Sequence, residues 1–183
     1  MSEIDTPLGR EVPPALPLRL TLAGLIPFVL SAGAFLYGDY QREALAGNFS
    51  EADEALMQAY AQASALAAFG LQSLFFYSAA ILSFLGGARW GMELRLAPDK
   101  PDDMTLILSL FPAIIAWVSL LIAFRPGIAL VMLAGAFGAC LFWDLSASKQ
   151  GDAPAWYKTP RSMATFGAVL CLVLAFARVS EIF

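Results

Sequence analysis

Five apolar runs, each long enough to cross a bilayer as a helix and separated by short charged pieces, leave this chain few ways to fold. Hydrocarbon offers no partner to a backbone amide or carbonyl. Each run must therefore satisfy its own polar groups, and an α-helix does so within one segment. The runs fall at about 20–37, 61–88, 104–124, 128–145 and 162–177. With 59% hydrophobic and 14% charged residues in 183, the chain holds more apolar matter than a water-soluble core of that size absorbs. The expected fold is all-α: a five-helix transmembrane bundle forming one domain over residues 18–183.

The first 17 residues are polar and rich in proline, which predicts a flexible tail. No small-x-small cleavage site follows the first run, so that run is expected to stay as a helix and not to be removed as a signal peptide. Pro27 in the first run and Pro112 in the third lie at similar depths and predict two kinks, because proline removes an amide and crowds the preceding turn. Ser50, followed by Asp53 and Glu54, reads as the N-cap of a long helix. Running to Trp90, that helix would measure about 60 Å, twice a hydrocarbon core of about 30 Å. Arg125-Pro126-Gly127 predicts a tight turn that makes spans three and four an antiparallel hairpin.

Basic residues divide unevenly between the two faces. Arg10, Arg19, Arg89, Arg95, Lys100, Lys149, Lys158 and Arg161 fall on the N-terminal side, against Arg42, Arg125 and Arg178 on the other. The positive-inside bias then predicts a cytoplasmic N-terminus and a C-terminus on the opposite side. A net charge of −4, with no run of four or more Lys and Arg residues beside a span, gives no support to nucleic-acid binding or polybasic lipid recognition. Histidine is absent, which removes the usual haem ligand, the commonest zinc ligand and the commonest general base. No metal or cofactor is expected. Cys140 and Cys171 lack CxxC spacing and read as small hydrophobes. Ser83 and Cys140 have no base to activate them, so catalysis is not expected.

One region gathers polar residues. Ala79, Ser83, Gly86 and Trp90 fall on one helical stripe, and with Gly87 they predict close helix packing. Arg89 borders that stripe, with Glu93 one turn further on. Trp143 and Asp144 end span four on the same side of the membrane, and Arg161 opens span five there, so Arg89, Asp144 and Arg161 can meet at one level. The plain reading makes these border residues, with the tryptophans in an interfacial belt. The alternative is a pocket walled by Trp90, Trp117 and Trp143 with Arg89 and Asp144 at its mouth.

Gly24-Leu25-Ile26-Pro27-Phe28, the stretch from Ile81 to Gly91 (ILSFLGGARWG), Phe111-Pro112 with Trp117, Asp144-Leu145, and Trp156-Tyr157 followed by Arg161 together resemble the transmembrane-protein-69-like family. That family comprises small polytopic membrane proteins of bacteria and mitochondria and is classed as a domain of unknown function. The resemblance implies a bacterial cytoplasmic (inner) membrane, or the mitochondrial inner membrane in a eukaryote, and supplies no catalytic residues. The functional expectation is a non-enzymatic accessory or assembly component that meets the lipid bilayer and, through helix packing, a membrane-protein partner. Its alternative is a small transporter or ligand-binding protein with a pocket in the cytoplasmic half of the bundle.

Overall fold

The computed structural model describes residues 13–47, 53–150 and 154–180. They form six α-helices and one short 3-10 turn: α1 (Ala15–Ala23), α2 (Ile26–Ala46), α3 (Glu54–Leu96), α4 (Asp103–Leu121), α5 (Pro126–Gln150), the turn Ala155–Tyr157, and α6 (Lys158–Ser180). Five of these segments are long and apolar enough to cross a membrane, α1 and α2 together counting as one.

The first span differs most from expectation. Helix starts at Ala15, directly after Pro14, so Pro17 sits in a first turn where its missing amide has no intrahelical partner to lose. Residues 13 and 14 are non-helical, and the rest of the expected tail lies outside the described residues. The kink expected at Pro27 is a break. Helix α1 ends at Ala23, the residue whose carbonyl a continuous helix would aim at the proline ring, and Pro27 falls in the first turn of α2. Across the break the Gly24 amide donates to the Leu20 carbonyl at 3.0 Å and the Leu25 amide to the Leu22 carbonyl at 3.0 Å. The Tyr77 hydroxyl of α3 donates to the Gly24 carbonyl at 2.9 Å and ties the break to the bundle.

Helix α3 is the axis of the molecule. Asp53, not Ser50, caps it: its Oδ1 accepts from the amides of Ala55 and Leu56, both at 3.1 Å, while Ser50 lies outside the described residues. Its 43 residues reach about 65 Å. Ala63, Ala67, Gly70, Leu74, Ser78, Leu82 and Gly86 are all buried, an i+3/i+4 seam along the middle of the helix. Helix α2 packs on the first half of that seam through glycine. A Cβ on Gly38 would lie 2.5 Å from the Ala67 amide nitrogen and 2.9 Å from the Ala63 carbonyl oxygen, and one on Gly70 would overlap the backbone of Phe35. Helix α4 packs on the second half, where a Cβ on Gly86 would run into the Ser109 carbonyl, close to the buried Pro112.

The expected packing stripe is thus corrected by about one residue, or 100° of rotation. Gly86 belongs to the seam and Ala79 flanks the core, but Ser83 is exposed and donates its hydroxyl to the Ala79 carbonyl at 2.8 Å. Gly87 is exposed with open space where a Cβ would stand, and Trp90 is exposed as well. Hydrophobicity does not orient α3, because apolar residues occur on all its sides; the close approaches at Gly70 and Gly86 fix which side faces its neighbours.

At the far end of α3 the Glu93 carboxylate accepts from the Asp102 amide at 2.7 Å, which closes the loop into α4. Asp102 caps α4, accepting from the Thr105 amide at 2.9 Å and the Thr105 hydroxyl at 2.7 Å. The Thr105 side chain and then its amide hold the Asp102 carboxyl below its ordinary value. Pro112 stands inside an unbroken α4. After the turn at Ile122–Arg125, where the Arg125 amide donates to the Ile122 carbonyl at 2.8 Å, α5 starts on Pro126 and returns beside α4. Phe28, Leu74, Leu82, Leu130, Leu133, Phe137 and Leu172 fill the centre, with the Phe28 ring edge-on to Tyr77 at 4.9 Å and to Phe137 at 5.7 Å. Large apolar side chains such as Phe69, Phe76, Phe84, Trp117, Phe142 and Phe166 point outward, as a lipid-facing surface requires.

Candidate functional site

Two clusters of charge sit at opposite ends of the bundle. The first lies at the end where α1 and α6 begin and α3 and α5 finish. Helix α5 continues to Gln150, so Asp144 stands within it, buried, and not at a wetted terminus. The turn Ala155–Tyr157 brings the chain back, and α6 places Arg161 one helical turn from its start. Arg161 Nε donates to Asp144 Oδ2 at 2.5 Å and its Nη1 donates to Thr165 Oγ1 at 2.9 Å, with both members of the ion pair more than nine-tenths buried. Such a pair is costly to desolvate, and removal of one partner strands the other. Arg161 Nη2 is buried and has no hydrogen-bond partner among the described residues.

Arg89 takes a different role from its neighbours. Its guanidinium carbon lies 4.5 Å from the centre of the Trp143 ring, a cation–π stack that links α3 to α5. Glu93 is engaged with the α4 loop, and Arg89 Nε has no hydrogen-bond partner among the described residues. Tyr157 completes the group: burial, and secondarily Asp144, push its hydroxyl above the ordinary tyrosine value, against the opposing pull of Arg161 and Arg89. The fold therefore joins Asp144 directly to Arg161 and Arg89 directly to Trp143.

The tryptophan-walled pocket does not form. Trp117 is 60% exposed on the outer face of α4, and Trp90 also faces outward. The cavity at this end lies elsewhere, between the α1–α2 break, α3, α5 and α6. It holds about 350 Å³ and is lined by Leu20, Thr21, Gly24, Leu25 and Phe28, by Ile81, Phe84 and Leu85, by Phe137, and by Tyr157, Arg161, Ala164, Thr165 and Ala168. Its walls are apolar except for Thr21, Tyr157, Arg161 and Thr165. Leu20 and Phe84, both largely exposed, form its rim, so it opens toward the hydrocarbon. Gly24 and Leu25 of the α1–α2 break both contribute to its wall. Cys140 and Cys171 are buried free thiols, and among the described residues no three Cys, Asp or Glu side chains converge as a metal site would need.

The second cluster escaped the sequence reading. Asp39, 1% exposed near the end of α2, accepts from Arg178 Nε at 2.5 Å and pairs through its other oxygen with Arg42, while Glu43 also pairs with Arg178. The Asp39-Arg42-Glu43 spacing of i, i+3, i+4 was a usable signal, as was the placing of Arg42 and Arg178 on one face. Helix α6 thus carries an arginine toward each end, each joined to a buried aspartate of another helix.

Residues 13–177 match the family described as a protein of unknown function (DUF3429). Transmembrane protein 69 of Xenopus tropicalis is 38% identical over 161 residues, which cover 85% of this chain and 51% of that protein. Transmembrane protein 69 of Mus musculus is 34% identical over 99 residues, 54% of this chain and 40% of that one. The chain spans about half the length of the curated relatives it matches. No solved structure matches it.

Proposed function

This chain belongs to the DUF3429 family of membrane proteins of unknown function, and within that family we propose that it is a non-catalytic protein holding a bilayer-derived ligand in the cavity beside the α1–α2 break. One observation carries the reading: an apolar cavity of about 350 Å³ opens to the hydrocarbon and has a buried guanidinium in its wall. Pockets of this kind, apolar with a few placed polar groups, are the usual form of small-ligand sites, and about 300 Å³ is their lower size limit. A photoactivatable acyl-chain probe in reconstituted vesicles tests it. Crosslinks should concentrate on Thr21, Leu85 and Ala164 in wild type and fall away in Ala164→Phe, whose added ring fills the space. Labelling spread evenly over all lipid-facing helices would end the proposal.

A second reading, an accessory component that packs against a partner helix, has its own support. Ser83, Gly87 and Gly91 form an exposed row at i, i+4, i+8 on α3, with open space beside both glycines. Gly87→Leu would break such an association while leaving the monomer's own packing intact. Loss of a co-purifying membrane protein in mild detergent is the result that favours it; an unchanged lone monomer counts against it.

The uneven arginine and lysine count supports an N-terminus on the cytoplasmic side, which puts the cavity in the inner leaflet. The family resemblance supports a bacterial cytoplasmic membrane, or the mitochondrial inner membrane in a eukaryotic cell. Membrane-impermeant labelling of a cysteine placed at Lys100 or at Arg125 separates the two orientations.

A further inference from the structure

We infer that the cavity selects an acidic glycerophospholipid, one acyl chain lying in the cavity and the phosphate meeting the Arg161 end. The inference rests on the ligand-holding reading above and adds the chemistry of the head group.

Leu20 and Phe84 at the rim are 63% and 68% exposed, and large exposed apolar side chains face hydrocarbon. A molecule entering between them comes from the bilayer, with its chain first among Phe28, Ile81, Leu85 and Phe137. The available volume suits a single chain, so the second chain of a lipid stays in the membrane.

Charge then decides the head group. Asp144 offsets Arg161, but Arg89 stacks on Trp143 without a carboxylate contact, one turn beyond Leu85 of the cavity wall. Arg19 is exposed on α1 next to Leu20 and Lys158 opens α6, while Glu93 is turned into the α4 loop. At this end of the bundle the described side chains Arg19, Arg89, Arg95, Lys100, Lys158 and Arg161 stand against Glu93, Asp99, Asp102, Asp103 and Asp144, a surplus of one positive charge. Arg161 Nη2 has no hydrogen-bond partner among the described residues, and Arg161 lines the cavity together with Tyr157 and Thr165. An unpaired buried donor favours an acceptor oxygen, and charge-assisted bonds to phosphate are the strong ones. Arg161 also lies one turn inside the start of α6, a depth that matches the interface where lipid phosphates reside.

Native mass spectrometry of the full chain from nanodiscs with equal phosphatidylglycerol and phosphatidylcholine tests the inference. Wild type should retain phosphatidylglycerol in preference by about tenfold. The double change Asp144→Asn with Arg161→Gln removes both charges together and leaves none stranded; the preference should fall to about twofold or less while the acyl-chain probe still labels the cavity. Arg89→Gln, which leaves the buried pair untouched, should weaken the preference several-fold on its own. Equal retention of the two lipids by wild type, or a preference that survives both variants, overturns the head-group assignment. So does displacement of phosphatidylglycerol by oleate at equal concentration, or by inorganic phosphate, since the first would make the ligand a fatty acid and the second a free anion. Cavity labelling without head-group preference would refute this inference alone, whereas loss of labelling in wild type would refute the ligand-holding reading as well.

Discussion

Replacing Gly38 by alanine adds one methyl group at the crossing of α2 and α3, and its cost follows from three distances. The new Cβ would stand 2.5 Å from the Ala67 nitrogen, 2.9 Å from the Ala63 oxygen and 3.0 Å from the Ala67 Cα, whereas ordinary contact begins near 3.4 Å. All three neighbours are backbone, so no side chain can swing aside and the helices must part by about 0.9 Å. Overpacking of this kind costs about 1–3 kcal/mol. A radial gap of about 0.5–1 Å also forfeits a quarter to a half of each dispersion contact along the seam. Alanine's better helix propensity returns about 1 kcal/mol. These two terms leave a loss of about 0–2 kcal/mol, which the forfeited dispersion contacts push toward the upper end. Gly87→Ala is the matched control, since nothing lies within 4 Å of its Cβ and only the propensity gain remains. Reversible unfolding in mixed micelles, titrated with dodecyl sulfate, measures both. Gly38→Ala as stable as Gly87→Ala would refute the claim that glycine sets the spacing of this crossing.

Three further outcomes are expected. Asp144→Ala strands Arg161 in the bundle and should cost about 3–5 kcal/mol in the same unfolding titration, with the double change Asp144→Ala and Arg161→Met recovering most of it. Asp39→Asn should loosen the far end of α6, seen as faster amide exchange around Arg178 than in wild type, with exchange around Arg161 unchanged. The third concerns pH. Tyr157 has a value raised above the ordinary 10.0, so the unfolded chain loses this proton first, and the group's contribution to stability is full below pH 10.0 and declines as the pH climbs past it. Tyr157→Phe should flatten that alkaline decline, followed by tyrosinate absorbance and thermal unfolding together.

The number of spans and their order were legible in the sequence because hydrocarbon length and backbone satisfaction leave little freedom. The helix ends were not. Asp144 looked like a terminal residue because a charge usually marks the border, yet α5 carries it inside and Arg161 neutralises it there. Asp39 was hidden in a stretch that reads as a polar loop, DYQREALA, which is helical because its carboxylates and Arg42 bond among themselves and with a helix 139 residues away in sequence. Facing was the harder problem. Helix α3 is largely apolar on all sides, its inner seam mixes Ala63, Ala67, Gly70 and Gly86 with Leu74, Ser78 and Leu82, and its exposed side also carries Ala65, Ala68 and Ala80, so residue type alone does not separate the two faces. The tryptophans read as pocket walls, Trp90 and Trp117, face outward instead, since tryptophan suits an interface as readily as a pocket.

The arginines of α6 also act as a ruler. Arg161 and Arg178 are 17 residues apart, about 26 Å along the helix, and each is anchored to an aspartate of a different helix. The span between those anchors cannot lengthen by sliding or tilting without breaking an ion pair. It falls a few ångströms short of an average hydrocarbon core of about 30 Å. Hydrophobic mismatch costs fractions of a kcal/mol per ångström and is enough to sort proteins between membranes. A bundle fixed at this height should fit thin bilayers more readily than thick, sterol-rich ones, with two salt bridges holding the height on which that preference depends.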